Sequence, residues 1–229
     1  MRSYCPARIL LACILGSSLI CMATAASATT VSIVSGNMTP GDYNTAVGDL
    51  GAPSGTLPWF PAPFTFTGTQ QVFASAPDLS AATAALGNWL ADPANLNANW
   101  NTVSAIPMTW TVNNEVAIVY SFDAGAGLQN MTADFGKIDN GIHIWVDGVW
   151  KFGARDPLGT SWNGISLGDV GAGTHYIQIL LEDSGGGTAY QNPMITAAVV
   201  PIPPAALLFL SGLLGIVGVS GRQNVTIQE

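Results

Sequence analysis

Two apolar runs at opposite ends of the chain decide how much of it is free to fold as a water-soluble domain. One extends from Ile9 to Met22 and the other from Ala205 to Val219. Neither suits the core of a soluble domain, so only the body between them is available to build one. That body, residues 29–199, is about 170 residues long, enough for one domain with a sizeable core. All three cysteines, Cys5, Cys13 and Cys21, precede it. The body therefore has no thiol, and neither a disulfide nor a cysteine-ligated metal can hold it together.

The first run is predicted to be the core of a signal peptide covering residues 1–28. Arg2 and Arg8 supply the positive leader, and Ala23-Thr24-Ala25-Ala26-Ser27-Ala28 follows with small residues. Fourteen residues from Ile9 to Met22 fall short of the roughly 20 needed to span a bilayer. Cleavage is expected after Ala28, with Ala26 as the second choice, and bulky Ile20 before Cys21 argues against lipidation there. The second run differs in length. Ile202 to Ser220 is 19 residues, or about 28 Å as a helix, close to the hydrocarbon thickness. A transmembrane helix at about 202–220 is expected, with Arg222 on the inner side and the body outside. Gly212, Gly215 and Gly218 put small residues along this run; ordinary tolerance of glycine in membrane spans is the preferred explanation.

Val200-Pro201-Ile202-Pro203, the apolar run containing Leu210-Ser211-Gly212-Leu213-Leu214-Gly215, and Arg222 together resemble the PEP-CTERM sorting signal of Gram-negative bacteria. Ile202 stands where that family most often has Glu, and a single Arg stands where several basic residues are usual. The resemblance implies that residues 200–229 are a sorting signal read by an exosortase, a membrane transpeptidase that cuts near the motif. It implies a protein exported through the inner membrane, anchored by its C-terminal helix, and then found at the cell surface or in the extracellular matrix.

Charge narrows the partners. Lys137, Lys151 and Arg155 are the body's only basic residues, against thirteen acidic ones. Nucleic-acid binding needs a basic footprint, and this balance excludes it as an expectation. Extracellular polysaccharide or other surface proteins, and the membrane through the tail, are the expected partners.

Period-2 alternation dominates the body. Val31–Ser35, Val116–Phe122, Thr174–Leu181 and Met194–Val200 read as strands, and so does Thr109–Val112, hinged to Val116–Phe122 at Asn113-Asn114. Ile142, Ile144 and Val146 alternate with His143 and Trp145 before Asp147-Gly148 turns the chain into Val149–Phe152. One helix is expected over Leu79–Leu90, capped by Asp78 or Ser80. The fold class expected is mainly β, an antiparallel jelly-roll-type β-sandwich with one or two short helices.

The segment from Ala133 to Gly148, with Asp139-Asn140-Gly141, the alternating strand and Asp147-Gly148, weakly resembles a hairpin of galactose-binding-like jelly rolls. That resemblance implies glycan binding, in some cases with calcium. Asp139 and Asn140 offer oxygen ligands of the kind calcium takes, with Glu182-Asp183 available to complete a site; a plain Asx turn is the competing reading. No other cofactor is expected. Trp145, Trp150 and Trp162 are candidates for a sugar-stacking platform, with core packing as the competing reading. No nucleophile elbow, zinc spacing or phosphate loop appears around His143, His175 or Gly185-Gly186-Gly187. The expected function is that of a non-catalytic surface or matrix protein. The alternatives are a carbohydrate-binding module and, last, a carboxylate-based glycoside hydrolase.

Overall fold

The computed structural model describes residues 28–49, 70–156, 158–183 and 185–199. The N-terminal apolar run, the Val200-Pro201-Ile202-Pro203 motif and the 202–220 run lie outside the described residues. Among the described residues no helix is long and apolar enough to cross a membrane.

The described residues are mostly strand, and every pairing among them is antiparallel. In order the strands are β1 (Thr30–Ser35), β2 (Gly41–Gly48), β3 (Gln71–Val72), β4 (Trp100–Val103), β5 (Glu115–Asp123), β6 (Leu128–Phe135), β7 (Lys137–Asp139), β8 (Gly141–Val146), β9 (Val149–Arg155), β10 (Trp162–Val170), β11 (Thr174–Glu182), β12 (Ala189–Gln191) and β13 (Met194–Val199). They form a four-stranded sheet in the order β1-β13-β6-β10, a seven-stranded sheet β3-β9-β8-β11-β5-β2-β4, and a short β12-β7 pair. One core joins the two larger sheets. Ile118, Ile142, Ile144, Ile177 and Ile179 from the larger sheet meet Met131, Ala133, Ile165, Leu167 and Ile195 from the smaller one. The arrangement is consistent with a β-sandwich.

The β8–β9 hairpin forms as the sequence predicts. Asp147 and Gly148 both take positive φ, +49° and +74°, the geometry that lets a two-residue turn follow the twist of its strands. Thr109–Val112 differs from expectation and is not a strand. The Trp110 N–H donates to Thr188 Oγ1 at 2.9 Å, and that hydroxyl donates back to the Trp110 carbonyl at 2.9 Å. The segment is thus tied to a side chain instead of a ladder.

The expected helix is cut short. A 3₁₀ turn over Ser80–Ala82 leads into α1, Thr83–Leu86, with Asp78 Oδ1 accepting from the Ser80 N–H at 2.9 Å. Gly87 stops it at φ +60°, its N–H closing on the Thr83 carbonyl at 2.9 Å. The following loop covers the outer face of the larger sheet. There Leu86, Trp89, Trp100, Trp145, Val119 and Leu180 make a second core. Gln178, fully buried, fixes the loop. Its Nε2 donates to the carbonyls of Trp89 and Leu90 at 3.2 and 3.4 Å, and its Oε1 accepts from Gly148 N–H at 3.1 Å. Both faces of the central strands are therefore covered, which explains why β8 is buried at all six positions.

Candidate functional site

A hollow of about 360 Å³ opens between β2, the start of β5 and the loop before it, lined by Tyr43, Thr45, Pro107, Thr109, Trp110, Thr111, Asn114 and Val116. Tyr43 and Val116 belong to the main core and form its floor. Burial raises the Tyr43 hydroxyl to about 12, so it stays protonated. Trp110 is half-buried at the rim and held at three points. Besides the two bonds to Thr188, its Nε1–H donates to the Asn114 carbonyl at 2.7 Å. The indole N–H is thus already engaged within the protein. None of the eight lining residues is charged.

The three tryptophans singled out from sequence do not share one surface. Trp145 is 2% exposed and meets Trp89 edge-on, ring centres 5.5 Å apart. The loop after α1 covers it, so it is a core residue and not an open platform. Trp150, opposite Trp145 in the β8–β9 register, lies half-buried on the same outer face. Trp162 instead packs on the main core, T-shaped against Phe152 at 5.5 Å, and donates from Nε1 to Asp156 Oδ2 at 3.1 Å. Sequence alternation placed Trp145 away from Ile142 and Ile144 correctly, but it could not show what covers that face.

Asp139 and Asn140 lie where the β7–β8, β9–β10 and β11–β12 connections meet, with Asp156 and Asp183. Asn140 Nδ2 donates to Asp183 Oδ1 and towards the carbonyls of Gly185 and Gly187 at 3.3 and 3.4 Å. Asp183 Oδ2 accepts from the Asn113 N–H. Asp156 is more heavily engaged. Its Oδ2 accepts from Thr160 N–H at 2.9 Å, Thr160 Oγ1 at 2.6 Å, Gln70 Nε2 at 2.8 Å and Trp162 Nε1, while Oδ1 accepts from Leu158 N–H at 3.0 Å. These carboxylates act here as acceptors that tie loops together, and Asn140 turns its NH₂ end, not its oxygen, towards Asp183. Among the described residues no group of three or more His, Cys, Asp or Glu side chains is placed to hold a metal ion.

Their acidities follow from those contacts. Burial raises the Asp139 carboxyl, and the charges of Asp183 and Asp156 push the same way against Lys137, whose Nζ lies 3.8 Å from Asp139 Oδ2. Burial would also raise Asp156, but its bonds from Thr160, Gln70 and Leu158 together outweigh it and hold the carboxyl below the ordinary range.

A further polar group lies on the outer face of the larger sheet, and it takes up Glu182, which the sequence had offered as a calcium ligand. His143, Glu182, Glu115 and Arg155 are all buried there. His143 Nδ1 accepts from Trp150 Nε1 at 3.3 Å, which assigns its proton to Nε2, 3.0 Å from Glu182 Oε1. Phe73 stacks on the imidazole at 5.2 Å. Burial lowers the Arg155 guanidinium and the Glu182 charge opposes that. The sequence clue was two charged residues, Glu115 and Glu182, beside apolar strand runs.

No protein-family model matches the chain, and no curated protein matches it. Among solved structures, a β-glucuronidase from an uncultured Clostridium sp. aligns at a TM-score of 0.38 and 8% identity, over 76% of this chain and 29% of that one. This chain spans less than a third of that enzyme's length, and a likeness at this level says nothing of activity.

Proposed function

We propose that the chain is an exported surface or extracellular-matrix protein without catalytic activity, associated with exopolysaccharide or other surface proteins. The observation that carries this reading is the Val200-Pro201-Ile202-Pro203 lead before a 19-residue apolar run, Ile202 to Ser220, behind an acidic, thiol-free body. On this reading the body is a jelly-roll-type β-sandwich displayed on the outer side, and the tail is an anchor open to exosortase-type processing. The polar groups of the body support a structural role. Asp156 and Asp183 are engaged as loop ties, and the His143–Glu182 pair is closed off from solvent.

Deletion of residues 200–229 tests the anchor. Cell fractionation should then find the protein in the medium or periplasm, whereas the full chain sediments with membranes. Equal membrane association of both forms would contradict the reading.

A second reading, a carbohydrate-binding module, is favoured by the hollow floored by Tyr43 and walled by Trp110. On this reading calcium would take Asp139 and Asn140 as ligands, which requires the Asn140–Asp183 bond to rearrange. Polysaccharide pull-down with and without chelator checks both points. Retention in either condition supports a module, retention lost to chelator assigns calcium, and no retention contradicts the second reading.

A further inference from the structure

We infer that the hollow between β2 and the 107–114 loop is a subsite for a neutral sugar ring stacked on Trp110. This rests on the carbohydrate-binding reading and names its ligand class and place. Three observations converge on it. First, its size, about 360 Å³, is at the low end of the roughly 300–1,000 Å³ typical of small-molecule sites. It takes a ring or two of a chain, not a long segment.

Second, the wall is built before any ligand arrives. Thr188 fixes the Trp110 backbone from both its N–H and its carbonyl, and Asn114 fixes the indole through Nε1. A tryptophan so held offers its ring face with little ordering left to lose on binding. A pyranose carries C–H groups on one face and hydroxyls around its edge, so it can lie on such a ring and still bond sideways. Thr45, Thr109 and Thr111, all exposed, and Asn114 supply polar groups around the rim.

Third, the lining carries no charge. A uronate or sulfated sugar would find no cationic partner there, and the acidic body would repel it. The body's basic residues do not help: Lys137 sits by Asp139, Arg155 is buried near Glu182, and neither they nor Lys151 line the hollow. The uncharged lining therefore favours a neutral polymer over an acidic one.

The test uses the full chain carrying 5-fluorotryptophan in a detergent without sugar headgroups. Neutral gluco-, galacto- and manno-oligosaccharides are titrated, with oligogalacturonate as the charged control and a polysaccharide pull-down run in parallel. The fluorine signal lost in Trp110→Phe identifies Trp110. A saturable shift of that signal with a neutral series and none with galacturonate is expected. Thr111→Val should weaken the affinity by up to about tenfold, while the Trp150 and Trp162 signals stay still. If glycan is retained in the pull-down but Trp110 does not move, or moves equally with galacturonate, the subsite is refuted while glycan association stands. If no glycan is retained and no signal moves, both fail.

Discussion

Asn140 ties the start of β8 to the loop that follows β11. Its side-chain amide joins the β7–β8 connection to Asp183 and to the Gly185–Gly187 loop, and it is 4% exposed. Asn140→Ala would leave the buried Asp183 carboxylate short of a donor, and stability should fall by about 2–3 kcal/mol, read as a lower urea midpoint. Asn140→Asp should cost more, because it sets a second negative charge against Asp183. The neighbouring carboxylates respond to pH in opposite senses. Asp156 has a lowered folded value, so its contribution is present above the ordinary aspartate value of about 4 and is lost as pH falls through the folded value. Asp156→Asn should therefore flatten the acid limb of a urea-midpoint profile measured from neutral to strongly acid pH. Asp139 has a raised value, so its contribution is complete below about 4 and is lost as pH rises through the folded value. Asp139→Asn should accordingly leave the protein slightly more stable at neutral pH, and a clear loss there would contradict the assigned repulsion.

At the scale of elements, the loop after α1 is the part that makes the larger sheet two-sided. It is pinned by Gln178 and filled by Trp89, and it passes so close to the β8–β9 turn that a Cβ on Gly148 would run into the Leu90 carbonyl. Gly148→Ala combines that clash with a positive φ, and a loss of about 2 kcal/mol or more is expected in chemical denaturation. Trp89→Ala should cost about 3–5 kcal/mol by emptying the second core, with a matching rise in exposed tryptophan fluorescence. How far such elements could be read from sequence varied with their regularity. β8, β11 and the Asp147-Gly148 turn were legible because their alternation runs unbroken. β6 and β10 were not, since register shifts around Ser166 and Gly168, with Asn130, Gly164 and Gly168 at positive φ, break the period of two. Within the expected helix Leu79–Leu90, Leu79, Leu86 and Leu90 do pack into the second core, but Gly87 ends the helix partway along it. Trp110 carried no local signal at all. Its place depends on Thr188, 78 residues away.

For the whole molecule, the balance of charge and the two apolar ends set the account. Thirteen acidic residues against three basic ones in the body favour a solvated outer surface and repel anionic polymers, in keeping with a neutral ligand at the Trp110 wall. The absence of cysteine in the body means that export into an oxidising compartment should not change its stability; equal urea midpoints with and without reductant are expected. The central proposal is that residues 1–28 direct export and residues 200–229 anchor or sort the protein. Intact-mass and terminal-peptide mass spectrometry of the protein recovered from the cell surface or matrix tests this most directly. The account predicts an N-terminus at or near Thr29 and a C-terminus near the Val200-Pro201-Ile202-Pro203 motif. A mature surface protein that begins at Met1 would contradict the export assignment, and one that still ends at Glu229 would contradict processing of the tail.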